Sequence, residues 1–287
     1  MQSRFTVSRD LDSSPSANLL GTGWTSRQTY SAYGVHFALQ SNTLDGIALA
    51  RPYLPLGWQE SKGNRVDIRY SLYFASNCES AGGECHQLFA GTDRIAKSCD
   101  SRQILHALAE HAQSAMLWHA KTALFVHAGV VGWRGRAMLI PGQSLSGKTT
   151  LVRALVQAGA TYYSDEYAVL DKRGWVHPYA LPLSIRSVNG HATKRAIEQL
   201  GGQRGVEPLP VGLIVITHFQ RGSRWRPREL SPAQAMLALM DNTVAARREP
   251  EYTMPILREA ALSAKTVQSK RGDAHRIMTK LLNELAV

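Results

Sequence analysis

The stretch Ala137-Met-Leu-Ile-Pro141-Gly142-Gln-Ser-Leu-Ser-Gly147-Lys148-Thr149-Thr150 decides how the rest of the chain is read. Its first five residues form a short apolar run after an Arg-Gly turn, as a buried strand would. Gly142–Thr149 then satisfies the pattern Gly-x4-Gly-Lys-Ser/Thr. The glycines let consecutive backbone N–H groups turn inward onto phosphate oxygens. A helix predicted over about Lys148–Ala158, stopped by Gly159, aims the positive end of its dipole at the same place. The predicted nucleotide-phosphate residues are Gly142, Gln143, Ser144, Leu145, Ser146, Gly147, Lys148, Thr149 and Thr150. In this arrangement Lys148 bridges the β- and γ-phosphates of ATP, and the Thr149 hydroxyl ligates Mg²⁺. Such an octapeptide arises by accident in on the order of one chain in a hundred of this length. The preceding strand and following helix supply the context that accident lacks.

Moving outward, one helix and one turn separate Lys148 from Asp165 and Glu166. Thr161–Ser164 is therefore expected to return into the sheet beside the loop strand, with the two acids at its carboxyl end. A carboxylate there can accept a proton from an attacking hydroxyl or position a metal; a solvated acid pair at a strand turn is the alternative. Upstream, Thr122–His127 and Val130–Trp133 read as two short strands separated by a glycine turn. His127 taken alone reads as a satisfied core or turn histidine. Downstream, strands are predicted at Tyr167–Asp171, Trp175–Pro178 and Val211–Thr217, the last a continuous apolar run suited to burial on both faces. Ser231-Pro232 opens a helix to about Asn242, and Asp273–Leu285 reads as an amphipathic helix.

Residues 1–100 alternate short β-type runs with turn clusters and read as a small, mainly β N-terminal region. A helix over 102–120 bridges into a second region, 101–287. No apolar window is long enough to span a membrane, and the first residues lack the apolar core of a signal peptide, so a cytoplasmic protein is expected. Cys78, Cys85 and Cys99 lack zinc-knuckle spacing and read as free thiols. The net charge of +11 favours anionic partners. The basic residues are dispersed, without a tail or a nucleic-acid motif, so no nucleic-acid partner is expected.

The run His127-Ala-Gly-Val-Val, the loop from Gly142 and Tyr163-Ser-Asp165-Glu166 together resemble the catalytic domain of HPr kinase/phosphorylase and its relatives. That family is related in fold to phosphoenolpyruvate carboxykinase. The resemblance covers about residues 120–245. It implies an α/β P-loop kinase domain using ATP and Mg²⁺, behind a small, mainly β N-terminal domain. By the same resemblance Asp165 is the base that deprotonates the acceptor hydroxyl, His127 is the active-site histidine, and Glu166 replaces a second Asp at the metal. Arg186, in Leu183-Ser-Ile-Arg-Ser187, matches an arginine that meets phosphate, whereas Ser184 stands where the family has a metal-holding Glu. His177–Ser184 and Leu230-Ser-Pro-Ala-Gln are shared with divergent relatives that phosphorylate lasso-peptide precursors. The implied acceptor is a Ser of a peptide or protein; a small-molecule kinase and a non-catalytic ATP sensor are the rivals. Self-association is a further expectation, since ring-shaped assemblies occur in the resembled family.

Overall fold

The computed structural model describes residues 23–78, 84–143, 146–186, 192–246 and 248–286. The chain is a mixed α/β protein that divides into two compact units. One runs up to Gln113; the other runs from Ser114 onward and also takes in Tyr33–Val35.

The first unit holds β1 (Ser26–Ala32), β2 (Val35–Ser41), α1 (Gly46–Ala50), β3 (Gln59–Glu60), β4 (Ile68–Tyr73), β5 (His86–Ala90) and β6 (Asp93–Ser98). Its six strands make one sheet in the order β3-β1-β2-β4-β5-β6, with β2 and β4 parallel. Helix α2 (Ser101–His119) follows, and the division between units falls within it. Ile104, Leu108, Ala112 and Met116 are buried along it at helical spacing, as the periodicity requires. Trp118, on the same helix, is exposed. The three cysteines are free thiols.

The second unit begins with β7 (Leu124–Trp133), β8 (Arg136–Pro141), α3 (Lys148–Gln157), β9 (Thr161–Ser164), β10 (Tyr167–Leu170) and β11 (Val176–His177). It continues through β12 (Leu183–Arg186), β13 (Ala192–Arg195), β14 (Val211–Phe219), β15 (Arg228–Glu229), α4 (Pro232–Met240), α5 (Pro250–Ser263), β16 (Lys265–Arg271) and α6 (Met278–Leu285). Its main sheet runs β11-β10-β7-β8-β14-β16-β15, with β9 also paired to β7, while β12 and β13 form a separate ribbon.

Strand alternation splits the core into two layers. Val131, Met138, Ile140, Leu213 and Val215 meet Leu151, Val152 and Leu155 of α3 and Leu281, Leu282 and Leu285 of α6. Val130, Leu139 and Ile214 point the other way, to Leu239 of α4 and Ile256 and Leu257 of α5. Helices therefore cover both faces, which explains the unbroken apolar run in β14. Each such buried aliphatic side chain contributes about 1.5–3 kcal/mol.

Three expectations need correction. The glycine turn predicted after His127 does not exist, because β7 runs straight through Gly129. A Cβ at Gly129 would lie 2.6 Å from Val152 Cγ2, so this glycine serves the close approach of α3 to the strand. Likewise β9 does not lie beside the loop strand: β7 stands between them, antiparallel to both. Two reversals leave β9 parallel to β8, so its carboxyl end still faces the loop side. The expected C-terminal helix is shorter than the span read for it, with a 3-10 turn at Ala274–Arg276 before α6.

Candidate active site

The strands β8, β14 and β16 are mutually parallel, so their carboxyl ends open on one edge of the sheet. That edge is where ligands bind in open α/β sheets. The loop after Pro141, Phe219 at the end of β14 and Arg271 at the end of β16 all stand there.

The loop leads into α3 through Gly147, whose φ of +86° places it in the left-handed region open to glycine. No side chain caps the helix, so its first N–H groups keep their capacity for an anion. The Ser146 hydroxyl beside them is buried without a hydrogen-bond partner, the kind of orphan a phosphate oxygen would satisfy. Lys148 is 7% exposed and donates to the carbonyls of Gly142 at 2.7 Å and Gln143 at 2.9 Å. Burial lowers its pKa to about 8, against the opposing pull of Asp165 and Glu166. Ser144 and Leu145, predicted to line the same loop, lie outside the described residues.

The acids reach this loop because of an irregularity in strand pairing. Val131 pairs with Tyr162, but Val130 pairs with Ser164, so Tyr163 is an extra residue and the register shifts. In a regular strand, residues three apart point to opposite faces. The bulge cancels that alternation, and the Tyr162 hydroxyl lies 2.9 Å from Asp165 Oδ1. The other carboxylate oxygen, Oδ2, accepts from Thr149 Oγ1 at 2.8 Å. Ser164 Oγ accepts from the N–H groups of Glu166 and Tyr167 and fixes the turn locally.

Glu166 differs from its neighbour. Its side chain remains open to solvent, yet crowding by the surrounding walls raises its pKa. The Asp165 charge adds to the rise, and Lys194 and Lys148 oppose it. His127 sits on β7 opposite Tyr167, and its carbonyl accepts from the Gly142 N–H at 3.2 Å. Burial, then Lys148, lowers its pKa to about 4, so the imidazole is neutral at physiological pH. The backbone of Arg186 ends β12 opposite Ala192, while its side chain lies outside the described residues. Ser184 is exposed and pairs across the ribbon with Lys194.

Thus Thr149, Lys148, Asp165, Glu166 and His127 share one locality. Three participants escaped the sequence. Tyr162 reaches Asp165 only through the bulge, Lys194 arrives from the ribbon, and Arg271 comes from the last strand. The fully buried Arg271 donates from Nη2 to the Gly147 carbonyl at 2.8 Å. A Cβ at Gly147 would lie 2.4 Å from that nitrogen.

No family model matches the chain, and no curated protein matches it significantly. The described residues contain no group of three or more His, Cys, Asp or Glu able to hold a metal as a protein cage. Thr149 and Asp165 nevertheless offer two hard oxygen donors side by side. That sparse set suits Mg²⁺, which keeps several waters and is shared with substrate phosphates. No described helix is long and apolar enough to cross a membrane.

Proposed function

We propose that the chain is an ATP- and Mg²⁺-dependent kinase of the P-loop type, related to HPr kinase, that phosphorylates a hydroxyl of a peptide or protein. The single observation carrying this reading is the 2.8 Å hydrogen bond from Thr149 to Asp165, which joins the phosphate loop to the acid pair. Bound Mg²⁺ would neutralise charge on the phosphates, held from the protein side by Thr149 and Asp165. Lys148 exchanges the Gly142 and Gln143 carbonyls for phosphate oxygens. Asp165 accepts from Thr149 on one oxygen and faces on the other the Tyr162 hydroxyl, whose single proton is shared with the Leu181 carbonyl, which fits a positioning carboxylate. Glu166 is open, and its raised pKa suits it to accept a proton. This division reverses the roles implied by the resemblance, where Asp165 is the base. Neutral His127 stands on β7 near Lys148 without adding charge. The remaining work is positioning, as expected of phosphoryl transfer.

A second reading, a nucleotide sensor that transfers nothing, draws on the same double engagement of Asp165. The two separate in one assay: purified protein, Mg-ATP and a pool of serine-containing peptides, read by mass spectrometry. Phosphopeptide formed by the wild type and lost in Lys148→Ala supports the kinase. Tight ATP binding without any phosphopeptide supports the sensor. Equal product from both proteins removes the loop from the mechanism.

A further inference from the structure

Beside Gly147 and Thr150, with neither Asp165 nor Glu166 in its wall, the second unit holds a cavity of about 880 Å³. Four arginines line it: Arg221 and Arg224 from the turn after β14, Arg271 from the end of β16 and Arg276 from the 3-10 turn. The sole acid in its wall is Asp273, one of whose oxygens already accepts from the His275 N–H. Arg221, Arg224 and Arg276 are exposed and form no ion pair among the described residues. Arg271 is 1% exposed, spends its Nη groups on the carbonyls of Gly147 and Gly272, and leaves Nε buried without a partner.

Such a set of like charges is self-repelling unless an anion offsets it. The β- and γ-phosphates do not supply that anion, because Lys148 and the first N–H groups of α3 already provide for them. The cavity reaches Gly147 and Thr150 at the start of α3, so it lies next to the proposed nucleotide site. A neutral base and ribose there would need stacking surface, which Phe219 offers, but would leave the guanidinium groups uncompensated. Their rigid forks match phosphate oxygens bidentately.

We propose that this cavity binds a second phosphate-class group beside the loop-bound nucleotide. The group is carried either on the ribose of that nucleotide or on a separate ligand. The inference rests on the proposed nucleotide site, and its test keeps the two apart. By calorimetry at physiological salt, the full chain is titrated with AMP and with adenosine 3′,5′-bisphosphate. In a second arm, pyrophosphate is titrated into ADP-saturated protein. A ribose phosphate as source gives at least about tenfold tighter binding of the bisphosphate, about 1.4 kcal/mol. A separate ligand as source gives saturable pyrophosphate binding on top of ADP. Either gain should vanish in Arg224→Gln/Arg276→Gln, exposed changes that leave the core untouched. Pyrophosphate titrated into Lys148→Ala without nucleotide should still fill this cavity. ADP binding with no gain in either arm, or a gain unchanged by the double substitution, overturns the proposal while sparing the kinase reading. Absence of ADP binding together with retained, Arg224- and Arg276-dependent pyrophosphate binding does the opposite.

Discussion

The two flanks of the α3 N-terminus are built from opposite materials. On the Thr149 side stand Asp165, Glu166 and a neutral His127; on the Gly147 side stand Arg271 and three further arginines. The acidic flank is tightly wired, with both Asp165 oxygens engaged and its turn fixed by Ser164. The basic flank holds one buried, partly unsatisfied arginine and three exposed ones with no ion pair among the described residues. The contrast teaches that a phosphate loop does not by itself define a site. On the proposed nucleotide-binding reading, what its neighbours add decides which end of the nucleotide is handled, and how.

The sharpest way to break this contrast is to exchange a charge for its neutral isostere within the acid pair. Glu166→Gln should lower kcat by about 10²–10⁴, the usual worth of a positioned base, with ATP affinity within tenfold. Activity limited by the Glu166 proton should also disappear as pH falls through its raised pKa, so the acid limb of the pH–kcat profile should be lost in the variant. A wild-type kcat in Glu166→Gln returns the base role to Asp165.

Asp165→Asn tests the other carboxylate. Because it holds Thr149, its expected signature is a rise of about 10–100-fold in the Mg²⁺ concentration needed for half-maximal activity, the scale seen when metal-site supports are removed. If kcat at saturating Mg²⁺ falls instead, with the Mg²⁺ requirement unchanged, the division of labour is wrong.

A milder probe needs no mutation. Lys148 loses its proton as pH rises through about 8, and phosphate binding demands the charged form. ADP affinity should therefore fall by about tenfold per pH unit above that point. Calorimetry at pH 7 and in alkaline buffer reads this directly; a flat profile shows that the loop binds without this cation.

The smallest expected effect joins the flanks. Gly147→Ala forces a Cβ at φ +86° and into Arg271. The left-handed backbone alone costs about 1–2 kcal/mol, which should appear as a lower unfolding midpoint in denaturant. An unshifted midpoint would show that Arg271 gives way without loss.

Much of the acidic flank was legible in sequence, because the loop pattern and the distance from Lys148 to Asp165 are local facts. One helix and one turn can only bring the chain back to the same edge. The two halves of β7 were legible as strands, but not their continuity or their place between β8 and β9, since Gly129 looks like a turn unless the approach of Val152 is known. The basic flank was almost invisible. β16 reads Lys-Thr-Val-Gln-Ser-Lys-Arg, with Val267 its lone large apolar side chain, so neither strand period nor helix period announces it. Its burial comes from pairing with β14 along seven residues, a long-range event that no local pattern encodes. Arg271 inherits that silence. It meets Gly147 across 124 residues of chain.

The extra residue at Tyr163 has a consequence for how this chain can change length. β9 and β10 lie along the same partner, β7, on either side of Asp165 and Glu166. Segments between strands ordinarily absorb insertions and deletions, but this one is pinned at both ends. Losing one residue there would restore regular alternation and turn Asp165 away from Thr149, or else shift all of β10 against β7 and bury the wrong face. Either outcome disables the site without altering a single functional side chain. In this stretch the number of residues, as much as their identity, is under constraint.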